Sequence, residues 1–395
     1  MRFPPVYILS AVRTPIGKFG GAFASVTAVE LGTVAARAAV ERAGVAPELV
    51  DEVIIGHGRQ AGCGPNPARQ VGHAAGIPES VPAFTVNKAC ASSTKAITLA
   101  AAAIWVEGRD IVLAGGMESM SNAPYMLSGA RWGYRLGHAE LEDGMYKDGF
   151  LCPLCKTLMG STAENLADRY ALTRAQQDAY AVESQKRAQL AAEAGKFKAE
   201  IVPVTVAGHK GDVTVDQDEH PRAGTSLADL AQLRPVFKKD GTVHAGNSSG
   251  ITDGAAAVLV ASEGAVKRHR FKPLARLVGF TTAAVDPAYM GIGPVPALRE
   301  LQSKTGVSLD QVDLIELNEA FAAQVLACDR ELKLDLRRVN VNGGAIALGH
   351  PIGATGARVT ATLLHELARR EGRYGVVTLC VSGGMGMALL FERVS

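Results

Sequence analysis

Two stretches far apart in the chain carry one pattern written twice. Residues 38–57 (AAVERAGVAPELVDEVIIGH) and 297–318 (ALRELQSKTGVSLDQVDLIELN) each run from a helix through a Gly-Val turn and a short helical start to Val-Asp and an apolar strand. Pro47 suits the first turn of the short helix in one copy, and Ser308 with Gln311 makes a capping-box pattern in the other. The parallel continues downstream. Val86-Asn87 leads to Cys90, an alanine-rich helix from Thr94 to Val106, the strand Asp110–Ala114 and then Gly115-Gly116-Met117. Val341-Asn342 leads to Gly349-His350-Pro351, a helix to about Glu371, the strand Val376–Leu379 and then Gly383-Gly384-Met385. Cys90 lies 46 positions after Gly44, and His350 lies 44 after Gly306. A repeat of this kind requires two copies of one βαβ-rich unit, with mixed sheets flanked by helices. Packed about a pseudo-two-fold axis, the two copies bring the helix starts at Cys90 and His350 to one place.

The repeat divides the chain. Residues 1–118 form a first core half, 119–248 an insert, 249–270 a return to the first half and 271–395 a second core half. The insert is rich in Gly, Pro, Met and charge. It has one clear helix, which opens on the capping-box pair Thr173 and Gln176 and closes at Gly195. His209 to Thr225 is polar and irregular, and the insert reads as a covering loop domain. Residues 255–261 (AAAVLVA) read as the strand that returns the chain to the first sheet.

Cys90 sits where a strand gives way to a helix, so unpaired N–H groups and the positive helix end favour its thiolate, the form that attacks carbonyls. The alternative on local context is a small buried cysteine. Three other stretches end secondary-structure elements, where ligands bind in α/β sheets. These are Asn318-Glu319-Ala320-Phe321-Ala322, the glycine-rich run from Gly343 to Gly353 around His350, and Cys380-Val381-Ser382-Gly383-Gly384-Met385-Gly386. Ala245-Gly246-Asn247-Ser248-Ser249-Gly250 is a small-residue loop that a ligand can approach closely. His350 alone fits a cap or a core position, and Cys380 alone fits an inert thiol. The glycine runs lack the spacing and the Lys of a phosphate cradle. Together, a thiol, a histidine, a second thiol and an asparagine point to acyl chemistry. Cys90 and His350 alone would serve a hydrolase; Cys380 adds proton transfer at carbon.

Composition removes several classes. A net charge of +2 gives no reason to expect nucleic acid or an anionic membrane as partner. The longest apolar run, Ala96 to Val106, has 11 residues, too few to span a bilayer. The N-terminus lacks the segments of a signal peptide, and Arg393-Val394-Ser395 is not a peroxisomal address, so a cytoplasmic protein is expected. Six cysteines in 395 residues are no disulfide framework. Cys152-Pro153-Leu154-Cys155 has only His138 as a further zinc ligand nearby and no strand-to-helix setting, and it reads as a surface loop.

Over essentially its whole length the chain resembles the thiolase family of acetyl-CoA acetyltransferases and 3-ketoacyl-CoA thiolases. The resemblance rests on VNKACAS around Cys90, GGMESMSNAPY at 115–125, MGSTAENLA at 159–167, AGNSSG, NEAFA, GGAIALGHPIGATGAR and the CxxGGMG ending. It implies an α/β fold of duplicated βαβαβαββ halves in a layered α/β/α/β/α core with an inserted loop domain. It implies reversible Claisen condensation of acetyl-CoA, or thiolytic cleavage of 3-ketoacyl-CoA, through an acyl-cysteine. Cys90 would be the nucleophile, His350 the base that takes its proton and then helps bind the thioester oxygen, and Cys380 the acid/base at the α-carbon. Asn318 would hold a water sharing an oxyanion site with His350, and the N–H groups of Cys90 and Ser382 would form the other. Leu158, Met159, Ala245, Ser249, Ala320 and Phe321 would line the acyl and pantetheine channel, with Arg222 at the nucleotide end. The resemblance implies no metal and no bound cofactor, coenzyme A thioesters as substrates, and a homodimer or homotetramer. Four positions depart from the family pattern. Leu158 stands where short-chain members carry His, which favours a more apolar acyl pocket. Ser93 and Thr94 replace a Gly and a larger apolar residue, and Ser382 replaces a Gly. The competing readings are a broader-chain degradative thiolase, a decarboxylating ketosynthase (which generally lacks the second cysteine), a cysteine-dependent thioester hydrolase and a silent acyl-CoA-binding protein.

Overall fold

The computed structural model describes residues 3–208 and 211–394; His209 and Lys210 of the polar segment lie outside them, as do Met1, Arg2 and Ser395. The first half contains β1 (Val6–Arg13), α1 (Ala28–Arg42), β2 (Glu52–His57), α2 (Pro67–Ala74), β3 (Ala83–Val86), α3 (Ser92–Ala102) and β4 (Ile111–Ser119). Residues 120–251 then carry α4 (Met159–Arg169) and α5 (Arg174–Glu193) before β5 (Thr252–Ser262). The second half contains β6 (Ala275–Ala284), α6 (Pro294–Thr305), β7 (Leu314–Leu317), α7 (Ala322–Leu332), α8 (Thr355–Arg370), β8 (Tyr374–Val381) and β9 (Met385–Arg393).

Strand pairing displays the repeat directly. In the first half, β2 lies parallel to both β3 and β4, β4 antiparallel to β5, and β5 antiparallel to β1. In the second half β7 is parallel to β8, β8 antiparallel to β9 and β9 antiparallel to β6. Where β3 would lie, Ile315 makes a parallel bridge to Val339. A short antiparallel pairing of β1 with β6, Val6↔Leu277 to Ile8↔Ala275, joins the halves into one ladder ordered β7-β8-β9-β6-β1-β5-β4-β2-β3. The halves differ at one connection. β8 turns into β9 through Ser382-Gly383-Gly384, whereas residues 120–251 connect β4 to β5. The tight turn needs glycine: Gly383 and Gly384 have φ of 86° and 82°, and a Cβ on Gly384 would overlap the Val285 carbonyl.

Strand alternation explains the layering. Val258 and Val260 of β5 face a core with α3, α8 and β8 residues Val377, Leu379 and Val381. Their neighbours Ala257, Leu259 and Ala261 face the opposite way, toward α1 and α2. On the far side of the second half, Val376 and Cys380 pack with α4, α6 and α7. The order is therefore helix, sheet, helix pair, sheet, helix, with α3 and α8 as the buried middle. This position accounts for the composition of Ala89–Glu107, a helical stretch of mean hydropathy 1.4 that is long enough to cross a bilayer. A helix covered on both sides is apolar all round. α3 begins at Ser92, two residues earlier than its sequence pattern suggests; past Ala102 it continues as a π turn, Ala103–Glu107, closed by Gly108 at φ 72°.

The two middle helices meet at their starts. A Cβ on Gly356 would overlap Thr94 Oγ1, and Ala357 N donates to Ser93 Oγ at 3.0 Å. Ser93 thus caps α8, whose own N-cap residue Ala354 offers no side-chain acceptor. In the insert, α5 has the expected capping box on Thr173 and Gln176. α4 was invisible to that signal because its N-cap, Leu158, has no side-chain acceptor. Cys152 departs from the surface-loop reading. It is fully buried in the hairpin Leu151–Leu158, whose Cys152–Cys155 turn folds back against Gly383.

Candidate active site

A cavity of about 650 Å3 opens between the insert and the meeting point of α3 and α8. Cys90, His350, Cys380 and Ser382 line it, with Leu158, Met159, Arg222, Ala245, Ser249, Ala320 and Phe321. Eleven of the twelve site residues read from the sequence therefore share one cavity wall. Asn318 does not reach the lining. It is buried, two positions before the lining residue Ala320, with neither side-chain amide atom meeting a partner among the described residues.

Cys90 is held by the turn between β3 and α3. Ala89 takes φ +46°, a left-handed conformation costly for alanine, and is fixed by a hydrogen bond from its N–H to Asn87 Oδ1 at 2.9 Å. Asn87 Nδ2 in turn donates to the Gly58 carbonyl at 3.1 Å, and Ser92 Oγ donates to the Ala89 carbonyl at 2.7 Å. Burial pushes the Cys90 thiol up; the Ser382 N–H and the nearby Arg59 charge oppose that shift. Ser382 is absent from the residues with positive φ, so its side chain imposes no strain, and the two glycines after it carry the left-handed turn.

His350 follows the helical turn Ala345–Leu348 and is anchored through its N–H to the Gly250 carbonyl at 3.2 Å. Its Nδ1 lies 2.6 Å from Thr355 Oγ1, and that hydroxyl donates to the Pro351 carbonyl at 2.9 Å. The hydroxyl proton being engaged, Nδ1 carries the hydrogen in this pair. Nε2 is then a bare lone pair, and it has no partner among the described residues. Burial, with the positive charges of Arg358 and Arg59, lowers His350 to about 3, so the imidazole is neutral at working pH. Burial raises Cys380 well above the ordinary thiol value, and the proximity of Cys90 and Cys328 adds to it. At rest the site holds two thiols and a neutral imidazole.

Two carboxylates that sequence reasoning passed over secure these parts. Glu118, fully buried at the end of β4, accepts from Gly58 N at 3.1 Å, Arg59 N at 3.0 Å and Gly353 N at 2.8 Å. It thereby ties the loop after His350 to the end of β2. Glu319 accepts from Tyr180 Oη at 2.8 Å, Ser184 Oγ at 2.7 Å, Asn340 Nδ2 at 3.0 Å and Ile346 N at 3.1 Å. Both sit inside quoted motifs, and the available signal was an ionisable residue at the end of, or just past, a buried strand. The loop Asn247–Ser249 is stitched to Ala320–Ala322 by Ser249 N donating to the Ala320 carbonyl and Ala322 N to that of Asn247, both at 2.9 Å. Arg222 is exposed at the rim, in no ion pair among the described residues, with its N–H bound to Gln185 Oε1 at 2.9 Å. No cluster of three or more His, Cys, Asp or Glu side chains is arranged for a metal among the described residues.

Comparison with known proteins agrees in sequence and in shape. The thiolase N-terminal domain matches residues 6–264, and the thiolase C-terminal domain matches residues 271–393. The chain is 52% identical to an acetyl-CoA acetyltransferase of Pseudomonas aeruginosa, over 98% of this chain and 99% of that protein. Its fold matches an acetyl-CoA acetyltransferase from Syntrophomonas wolfei at a TM-score of 0.98 and 43% identity, covering 100% of both chains. It matches human mitochondrial 3-ketoacyl-CoA thiolase in complex with CoA at a TM-score of 0.96 and 46% identity, covering 99% of this chain and 98% of that one.

Proposed function

This chain belongs to the thiolase family, and on that premise we propose that it transfers acyl groups between coenzyme A thioesters and carbon, condensing two acetyl-CoA to acetoacetyl-CoA and CoA or cleaving 3-ketoacyl-CoA with CoA. The observation that carries the reading is the convergence of two thiols and a histidine with a free Nε2 on one cavity. In condensation, Cys90 gives its proton to His350 Nε2 as sulfur attacks the thioester carbonyl, and the oxyanion is met by the N–H groups of Cys90 and Ser382. Each such donor contributes about 3–4 kcal/mol to the barrier reduction. Collapse expels CoA as thiolate, which takes the Cys380 proton. The Cys380 thiolate then removes the α-proton of the second acetyl-CoA. The enolate oxygen is held by protonated His350 and by a water on Asn318. The enolate carbon attacks the acetyl-Cys90 carbonyl, and Cys90 leaves and recovers its proton from His350. Cys380 ends as a thiol, so the protons balance.

Run backward, the sequence needs Cys380 protonated to quench the enolate released from a 3-ketoacyl-CoA. The raised Cys380 value supports that starting state. CoA thioesters enter as substrates through the channel bounded by Met159, Ala245, Ser249, Ala320 and Phe321, with Arg222 at the nucleotide end. All six cysteines are free, which suits the reducing cytoplasm that two working thiols require. Leu158 on the cavity wall favours a second reading of the same chemistry, a degradative thiolase acting on longer 3-ketoacyl chains.

Incubation with acetyl-CoA tests the reading. The intact protein gains one acetyl group, on Cys90, and Cys90→Ala gains none. Cys380→Ala still acylates but forms no acetoacetyl-CoA. If no acyl-CoA labels Cys90, the assignment fails.

A further inference from the structure

Arg59 follows β2 and is 8% exposed, yet no guanidinium nitrogen meets a hydrogen-bond or carboxylate partner among the described residues, and Nε is buried without one. Its surroundings are apolar on the cavity side. A Cβ on Gly149 would overlap the guanidinium, the Phe150 ring centroid is 5.8 Å away, and Phe150 and Cys90 both pack against the cluster of Met120, Met145 and Ile352. The group therefore stands at the wall of the chamber beside the acyl-accepting sulfur. The other cavity cations, Lys18 and Arg222, gather around His220, at the end assigned to the nucleotide.

Local carboxylates compensate Arg59 only in part: its charge helps lower Glu118, but the two make no ion pair. Glu118 is engaged by three backbone N–H groups and faces His57 Nε2 at 3.3 Å. Burial alone would lower His57, but the neighbouring Cys63 sulfur and Glu118 carboxylate outweigh it and raise the group to about 9, so this imidazole is charged at neutral pH. One carboxylate thus answers two cations. Asp143, the one acid lining the cavity among the described residues, makes no ion pair with Arg59 and accepts from Met145 N at 2.8 Å. A buried cation without a partner is costly, and a planar fork matches a carboxylate in two-point contact.

We infer that the acyl chamber accepts a chain ending in a carboxylate, which pairs with Arg59 while the chain's other end is joined to Cys90. The inference rests on the acyl-transfer reading above. In thiolysis the bond between the α- and β-carbons of an ω-carboxy-3-ketoacyl-CoA breaks. The carboxyacyl group joins Cys90 Sγ as acetyl-CoA leaves, and free CoA then carries it off as the shortened thioester, restoring the thiol.

The test uses 3-ketoacyl-CoAs of graded length that end in a carboxylate, each against its methyl-ended counterpart, with the full chain. At the best length the wild type favours the carboxylate-ended member by about tenfold or more in kcat/KM, the scale of one charged hydrogen-bonded pair. Arg59→Leu inverts the preference, changing the ratio about 10- to 100-fold, and Arg59→Lys keeps part of it. Competition between paired thioesters for labelling of wild-type Cys90, read by mass, gives the same ranking without a variant. Preference for the methyl-ended member at every length overturns the inference. So does an Arg59→Leu that slows both members alike, which would make Arg59 a support for the Cys90 thiolate. Acetoacetyl-CoA cleavage by the wild type reports on the parent reading independently.

Discussion

At the scale of single residues, His350 divides its two ring nitrogens between structure and chemistry. Nδ1 is committed to Thr355, so the proton acceptor must be Nε2, and that acceptor works only while the ring is neutral. Burial secures this at a thermodynamic cost that pH reveals. The ordinary value is 6.5 and the folded value about 3. Between those limits the unfolded chain binds a proton that the folded chain refuses, so stability is complete above about 6.5 and declines as pH falls through the window. The slope approaches about 1.4 kcal/mol per pH unit from this group alone. His350→Asn removes the titration. Its denaturation midpoints should fall less steeply than the wild type's between pH 6 and pH 4, while acylation of Cys90 slows by about 10²- to 10⁴-fold. Parallel pH profiles for the two proteins would mean that His350 is charged in the fold. The sequence placed His350 opposite Cys90, but its tautomer depends on Thr355 Oγ1, whose proton goes to a backbone carbonyl invisible in any motif.

At the scale of elements, the junction of α3 and α8 links the two halves of the repeat. Ser93 accepts from Ala357 N, so a residue on one half's helix caps the other's. Replacing it by alanine should cost about 1 kcal/mol, as for other lost caps, measured by chemical denaturation. Gly356→Ala should cost more, because its Cβ would meet Thr94 backbone as well as side chain. Equal effects from both substitutions would show that the helices separate at little cost. Periodicity foretold both helices and their equivalence. What it missed was long-range. Ser93 read as a departure from family pattern at the first turn of its own helix, since nothing local shows a hydroxyl reaching α8. Glu118 and Glu319 went unassigned for the same reason, since their partners, backbone N–H groups for Glu118 and mostly side-chain donors for Glu319, are brought near only by the closed fold. Cys152 read as exposed because the hairpin's contact with Gly383 joins the insert to the last strand turn of the second half, far away in sequence.

At the scale of the molecule, the repeat leaves one end of the ladder open. In the second half β7 ends the ladder at a single bridge to Val339, but β3 presents a free edge of four residues in the first half, with Phe84 37% exposed. Such an edge invites pairing with an identical strand in a two-fold arrangement, since antiparallel partners are self-complementary. A second apolar exposure lies in the insert. Trp132 is 88% exposed and Leu136 98%, with Tyr125 and Leu141 also largely exposed, apolar side chains that an identical partner would cover. Two separate self-complementary surfaces would give a dimer of dimers. Light scattering should therefore return a mass of two or four times 41.2 kDa. Phe84→Lys puts like charges across the β3 pair and should weaken the dimer, whereas Leu136→Asp should affect only the step from dimer to tetramer. A wild-type mass of one chain at micromolar concentration would sink both assignments. A tetramer unaffected by Leu136→Asp but broken by Phe84→Lys would locate every contact at the sheet edge.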